Sequence, residues 1–533
     1  MKGGGGEGAD STGLPFSYRL VRRFYRFLTN IWFREVNVVD DEHLPPDGGR
    51  LYITWHPSGL IDPMLMTSAL PGQLTTVAKH TLFDVPLLGR LLKLTGVVPV
   101  ERTGDVRDAE GARLRNEQRL ASLASRLATG GNVLIFPEGS THSEAGVRRV
   151  RSGAARILLS AWREAEATGQ PLPNVIPVGL HYSESQRFRE RAAVVIERRM
   201  QLPSPPALVK EASEQDRLDR AWVQDVTDLF AVELQRVNHS KTSWAERTLI
   251  WRGRSLVYAE KQRLAGDQLT KPSFSSSVLA ARRLRAGWEF MAEHRPEQTQ
   301  RLKERCEHHF DVLEQRGITP YDVDSRPEHL SFANHARFLA QWLWALVWMF
   351  GLVTWSALAG NLIPYKLNGW FSKSLKRKDI DTSVVGTMKV LSAIVLFPAW
   401  WLLASALITW SLLSSASPLN ALLLSHWLLL SITRLPAAAV FIVFTLWWPV
   451  SARLHLKLYA RLVIGGQNLK RWKVWKDDSN DWKALVEEQR ALSAELVDLG
   501  TGLMLPGDPD WVDPDPGHDD VSAVRFRSAA RPS

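Results

Sequence analysis

The sequence predicts an α/β domain with a mixed, largely parallel sheet and flanking helices, followed by a charged helical region and C-terminal membrane helices. Three observations carry this reading. Between residue 49 and about residue 200, short apolar runs bounded by turn residues alternate with helix-patterned stretches. From Pro205 to about Asp324 the chain turns helical and strongly charged, with few β-branched runs. Between about 338 and 450 the apolar residues gather into uncharged runs long enough to span a bilayer.

The N-terminal 13 residues are glycine-rich and lack the basic start and apolar run of a signal peptide, so no cleaved leader is expected. Over 17–34, Leu20, Phe24, Phe27, Leu28 and Ile31 recur at helical spacing among Arg19, Arg22, Arg23 and Arg26. This is an amphipathic basic helix, expected to dock on a membrane surface. Strands are expected at 51–55, 74–78, 96–100, 132–136, 175–180 and 193–196, with helices at 109–128 and 153–167. In such sheets the functional loops follow the strands.

The run 338–359 carries no charged residue and reads as a membrane segment, either re-entrant and hinged near Gly351 or Gly360, or a true span that gives an odd number of crossings. Two further runs, 390–413 and 421–450, form a hairpin. Their flanking basic clusters, Lys373, Lys376, Arg377 and Lys378 before and Arg453, Lys457 and Arg461 after, place both ends on the cytoplasmic side. After Leu505, Pro506, Pro509, Pro514 and Pro516 mix with aspartates, so disorder is expected there. The resulting division is a disordered N-terminus (1–15), an amphipathic helix and lead-in (16–48), the α/β domain (49–204), the charged helical region (205–335), membrane-embedded hairpins (336–452), a basic helical cytoplasmic segment (453–504) and a disordered tail (505–533).

Composition narrows the function classes. The 533 residues suffice for several domains of roughly 150 residues each. Lys and Arg number 66 against 56 Asp and Glu, and the net +10 suits a membrane surface, nucleic acid or phosphorylated substrates alike. Cys306, the single cysteine, excludes an intramolecular disulfide and a multi-thiolate zinc site. Cys306, His308 and His309 lie together on a charged helix, but three ligands without a fourth read as surface residues, and no metal is expected. Gly-x-Ser-x-Gly and phosphate-cradling glycine loops are both missing, which removes the carriers of hydrolase and nucleotide-binding readings.

Four blocks carry the chemistry. Trp55-His56-Pro57-Ser58-Gly59-Leu60-Ile61-Asp62-Pro63 follows an expected strand, and its turn can bring the Asp62 carboxylate to the His56 imidazole, fixing the tautomer of a general base. In the second block, Gly96 to Arg102, Arg102 follows a strand and can grip a phosphate through paired hydrogen bonds. In the third, Phe136-Pro137-Glu138-Gly139-Ser140-Thr141-His142-Ser143, a carboxylate, a glycine and two hydroxyls can bind a polyhydroxy or phosphorylated ligand. Arg148, Arg149 and Arg151 follow closely, either as a solvated turn or as a site for donor phosphates. The apolar strand Val175-Ile176-Pro177-Val178-Gly179-Leu180 is the fourth and can line an acyl site.

In this order the blocks resemble the glycerophospholipid acyltransferase family of the bacterial PlsC and PlsB type, over about residues 17–200. The resemblance implies an acyltransferase domain with His56 as general base and Asp62 orienting it. It further implies that Arg102, Glu138, Gly139, Ser140 and Thr141 bind substrate, and that Lys79 is the basic residue before the family's amphipathic helix. Five residues separate His56 from Asp62 where the family has four, and no asparagine precedes the histidine. A longer His-Pro motif ending in Asp-Pro, a charged helical region and C-terminal spans together are most similar to the fungal-type glycerol-3-phosphate acyltransferase subset. The implied reaction moves an acyl group from acyl-CoA or acyl-carrier protein to glycerol 3-phosphate in phospholipid biosynthesis. Membrane lipids, the acyl donor and a glycerol phosphate acceptor are then the partners, with no cofactor and no nucleic acid. Acylation of lysophosphatidate or another lysolipid is the alternative enzyme reading. A catalytically silent membrane scaffold is the alternative of another class, supported by the altered His56 to Asp62 spacing alone.

Overall fold

A computed structural model describes residues 14–84, 88–101, 109–183, 188–239, 243–265, 272–323, 332–349, 351–377, 382–418, 420–421, 435–477 and 479–527. The N-terminal helix α1 (Phe16–Trp32) leads into β1 (Phe33–Val39). After β2 (Arg50–Ile53) come α2 (Ile61–Ala69), β3 (Leu74–Lys79), α3 (Leu88–Leu94), β4 (Val98–Val100), α4 (Ala109–Ala128), β5 (Asn132–Ile135), α5 (Gly153–Ala167), β6 (Asn174–Tyr182) and β7 (Glu190–Ile196). The strands form one seven-stranded sheet in the order β1-β7-β6-β2-β5-β3-β4. Every pairing is parallel except β6 with β7. The mixed, largely parallel sheet is as the sequence indicates, with β1 as an addition. That strand pairs in parallel with β7, so the α/β domain begins before residue 49, and the lead-in is part of the sheet.

Helices α4 and α5 cover one face, where Leu123, Leu127, Leu158 and Ala161 pack on Leu51, Ile53, Val133 and Val175. Into the same core α6 (Ala212–Val237) inserts Trp222, Val226, Phe230 and Leu234. The first helix of the charged region therefore belongs to the α/β core. On the other face α2 buries Ile61, Leu65 and Met66 against Tyr52, Leu134 and Ile176. On α1, Tyr18, Val21 and Tyr25 are buried while Phe16, Leu20 and Phe27 remain exposed. Arg22 and Arg26 donate to the carbonyls of Leu70 and Ser68 at the C-terminal end of α2, a favourable place for cations. Two of the arginines of this basic helix thus fasten α1 to the domain.

Helices α7 (Trp244–Leu264), α8 (Phe274–His294), α9 (Pro296–Arg316) and α10 (Pro320–Val323) complete the helical region. Cys306 and His309 are buried on α9 among Leu302, Phe310 and Leu313, which corrects their reading as surface residues. Spacings of three and four residues put them on the apolar face of that helix.

The apolar block comprises α11 (Phe332–Met349), α12 (Leu352–Arg377), α13 (Thr382–Leu413) and α14 (Ala437–Asp477). Val385–Leu413 and Ala437–Ala460 are long and apolar enough to cross a membrane; Leu339–Trp348 and Val353–Leu375 meet at a 66° bend. That bend falls beside Gly351, whereas Gly360 is inside α12, where an added Cβ would lie 2.4 Å from the Trp448 ring. Thr445 and Trp448 on α14 hydrogen-bond the Ser405 hydroxyl of α13, tying these two helices together.

Finally α15 (Ser479–Leu499), β8 (Leu503–Met504), α16 (Asp520–Ala523) and β9 (Arg525–Phe526) fold back onto α7, α8 and α9. The expected disordered tail is thus corrected over 505–527. Its aspartates have partners that composition does not reveal: buried Asp520 meets Arg236, Arg282 and Arg285, and Asp508 meets Arg283 and Arg527.

Candidate active site

The site is made where two adjacent parallel strands end. Ile53 of β2 lies opposite Ile135 of β5, so the loops that follow, carrying His56 and Glu138, leave the sheet side by side. After His56 the chain makes a tight turn, with Ile61 N–H donating to the Ser58 carbonyl and Asp62 N–H to that of Gly59. Gly59 sits at φ +58°, a conformation that glycine adopts without steric cost. The turn absorbs the fifth intervening residue: His56 Nδ1 lies 2.8 Å from Asp62 Oδ2.

Asp62 is fully buried in the first turn of α2, and three donors compensate its charge. They are His56 Nδ1–H, the Ser58 N–H at 2.8 Å and the Tyr182 hydroxyl at 2.6 Å on the other carboxylate oxygen. Burial, with the Asp62 charge beside it, holds the Tyr182 hydroxyl well above its usual range, so it stays a donor. With Nδ1–H directed at Asp62, the lone pair of His56 is on Nε2. The ring stacks on Phe136 at 4.1 Å between centroids, and the side chain is 19% exposed. It is a held imidazole with one basic nitrogen and access from outside.

Glu138 supports this arrangement from below. Its carboxylate accepts from the His56 N–H at 2.9 Å, the Arg148 N–H at 2.8 Å and His142 Nε2 at 2.9 Å, and only 2% of the residue is exposed. These bonds tie the carboxylate to the protein itself, so Glu138 joins the two loops. Gly139 turns at φ +70°, and an added Cβ would meet the Arg151 side chain at 3.0 Å. Ser140 and Thr141 are half-buried in the same loop. Lys79 ends β3, two strands from β2 in the sheet. Arg102 lies outside the described residues. Its neighbour Glu101 is gripped by Arg115 and Arg119, whose hydrogen bonds lower that carboxyl to about 2.

Sequence reasoning missed Tyr182 and His142. Both occur inside or just beyond the quoted blocks, but only the sheet shows that β6 runs on to bring Tyr182 over Asp62.

Behind the His56 loop is a buried basic cluster. The Arg247 guanidinium lies over the Trp55 ring at 5.1 Å and donates to the Ala145 carbonyl. Close by, His181 and His239 are buried with ring centroids 4.6 Å apart. Burial, then the charge of Arg247, pushes His181 down to about 3, and burial with the neighbouring cations also holds His239 well below its ordinary value. Both are neutral in the fold, while in the unfolded chain they take up protons near pH 6.5. Stability is therefore expected to fall as pH drops below about 6.5, by about 1.4 kcal/mol per pH unit for each histidine. Thermal unfolding in detergent between pH 7 and 5 measures this, and His181→Asn should flatten the slope.

The acyltransferase family profile matches residues 35–181, which include both loops and all seven residues of the His56 turn. Residues 35–181 are similar to the acyltransferase family over that span. A chloroplastic 1-acyl-sn-glycerol-3-phosphate acyltransferase of Arabidopsis thaliana is 26% identical over 144 residues, covering 26% of this chain and 38% of that protein. A glycerol-3-phosphate O-acyltransferase of Saccharomyces cerevisiae is 33% identical over 82 residues, covering 15% and 11%. A chloroplastic 1-acyl-sn-glycerol-3-phosphate acyltransferase of Brassica napus is 26% identical over 180 residues, covering 32% and 46%. The chain spans less than half the length of each of these relatives. The crystal structure of the 1-acyl-sn-glycerophosphate acyltransferase PlsC from Thermotoga maritima superposes with a TM-score of 0.27 at 18% identity, over 41% of this chain and 80% of that one. In this acyltransferase domain His56 and Asp62 are the paired imidazole and carboxylate at the end of β2.

Proposed function

We propose that the chain is a membrane-bound O-acyltransferase that moves a fatty acyl group from acyl-CoA or acyl-carrier protein to a hydroxyl of glycerol 3-phosphate. The His56–Asp62 hydrogen bond, which leaves Nε2 basic at the mouth of an acyltransferase domain, carries this reading. Nε2 takes the hydroxyl proton as the acceptor oxygen bonds to the thioester carbonyl carbon. The C–S bond then breaks, and the leaving thiolate regains a proton from the imidazolium. An acyl-enzyme is unnecessary: Cys306, the one cysteine, lies in the helical region with its thiol pushed up to about 12 by burial. The pairing also removes the spacing argument for a silent scaffold.

Glycerol 3-phosphate as acceptor is supported by the name of the yeast relative and by the chain's resemblance in layout to the fungal-type subset. A second reading, with lysophosphatidate as acceptor, is favoured by the names of the two plant relatives and by the contact of α2 with the apolar α13, which would give a lipid direct access. With either acceptor the catalytic domain is proposed to face the cytoplasm, a reading supported by the basic residues on both flanks of the hairpin. Purified protein in vesicles, given labelled donor and each acceptor in turn, separates the readings by which labelled ester forms.

Arg102 is assigned to the acceptor phosphate on the family resemblance. Arg102→Ala is expected to raise the acceptor KM by the equivalent of about 1.5–3 kcal/mol, with Arg102→Lys intermediate, because a bidentate charged contact is lost. The donor KM should stay within twofold. A change confined to the donor KM would move Arg102 to the coenzyme A or carrier site.

A further inference from the structure

The His56 turn is touched by a helix from the apolar block. Thr387, near the start of α13, accepts a hydrogen bond at 2.9 Å from the backbone N–H of Leu60, the residue before α2. One residue earlier, Gly386 brings its backbone so close to Ile61 that an added Cβ would lie 3.2 Å from Ile61 Cδ1. One turn further along α13, Val390 is buried in the same cluster as Ile61 and Leu65. The first two contacts fall on Leu60 and Ile61, next to Asp62, and Val390 joins the cluster that α2 buries.

From these contacts we propose that Thr387 is a positioning residue for the catalytic pair, so that the membrane helix α13 holds the longer His56 to Asp62 turn in its working shape. The proposal rests on the acyltransferase reading of the His56 site. Leu60 N–H is at the start of a helix, where amide donors have no partner within the helix and need one from outside. Here α13 supplies that partner. Without it the α2 start is free to shift, and Asp62 shifts with it relative to His56. Misplacement of a catalytic group by about 1 Å costs roughly a hundredfold in rate. The apolar block is thereby a working part of the site as well as an anchor.

The test uses the full chain in vesicles, with parent and His56→Ala in the same assay. Thr387→Val keeps the shape of the side chain and loses the acceptor, whereas Thr387→Ser keeps the acceptor. Thr387→Val is expected to lower kcat by about tenfold or more, with both KM values and the unfolding temperature close to parent, and Thr387→Ser to stay within threefold of parent. A size-swap pair provides a second route should Thr387→Val fail to fold. Gly386→Ala should lower kcat by crowding Ile61 Cδ1, and adding Ile61→Val, which deletes that atom, should restore at least half of the loss. A Thr387→Val enzyme with parental kcat overturns the proposal, as do equal losses in Thr387→Ser or a swap pair whose effects only add. A parent without His56-dependent transfer defeats the acyltransferase reading itself, a result separate from these.

Discussion

His56→Ala is expected to lower kcat for acyl transfer by about a hundred- to ten-thousandfold, the usual worth of a positioned general base. The thioester keeps its own reactivity and both substrates keep their binding groups, so KM values should move little and the loss should sit in turnover. The side chain is partly exposed and stacks on Phe136, so its removal leaves no large cavity in the core. Unfolding temperature and membrane retention should therefore match the parent, and steady-state kinetics in detergent or vesicles with an unfolding scan check both halves. Activity within tenfold of parent would remove His56 from the base role.

Asp62→Asn is expected to be nearly as damaging, by about a thousandfold or more, although it changes one atom. An amide that keeps its oxygen toward the Tyr182 hydroxyl puts its NH₂ where Oδ2 was, facing His56 Nδ1 and leaving the Ser58 N–H without its acceptor. The imidazole then presents Nδ1 as acceptor and carries its proton on Nε2, the wrong tautomer for taking a proton from a hydroxyl. The turn and α2 should persist, because both backbone hydrogen bonds of the turn are independent of the carboxylate. The kcat of the purified variant, set beside its unfolding temperature, distinguishes a wrong tautomer from a damaged fold. An Asp62→Asn enzyme with parental kcat would mean that the pair seen at 2.8 Å has no part in the chemistry.

The sheet was legible because six of its strands are short apolar runs closed by turn residues, a pattern that a parallel sheet buried on both faces requires. Strand β1 was not, because Phe33 follows a helix with no turn residue between them and its alternation reads as the tail of an amphipathic segment. The His56 and Glu138 loops were legible as motifs, but the internal bonds of Glu138 were not. A carboxylate next to glycine and hydroxyls reads as a ligand group, and only the sheet shows that it also holds the His56 N–H. Tyr182 and Thr387 act from 120 and 327 residues away, respectively, and nothing in their local sequence marks such contacts. The tail misled for a related reason: prolines and aspartates signal disorder only when no arginine cluster waits for them, and Arg282, which binds Asp520, lies 238 residues earlier.

The most direct test of the account measures labelled ester and free thiol formed together when purified protein in vesicles meets a labelled acyl thioester and a glycerol phosphate acceptor. The account predicts equal amounts of ester and thiol from the parent, and a yield at least about a hundredfold lower from His56→Ala in the same vesicles. Equal yields from the two proteins, or no ester from the parent with either glycerol 3-phosphate or lysophosphatidate, would contradict it.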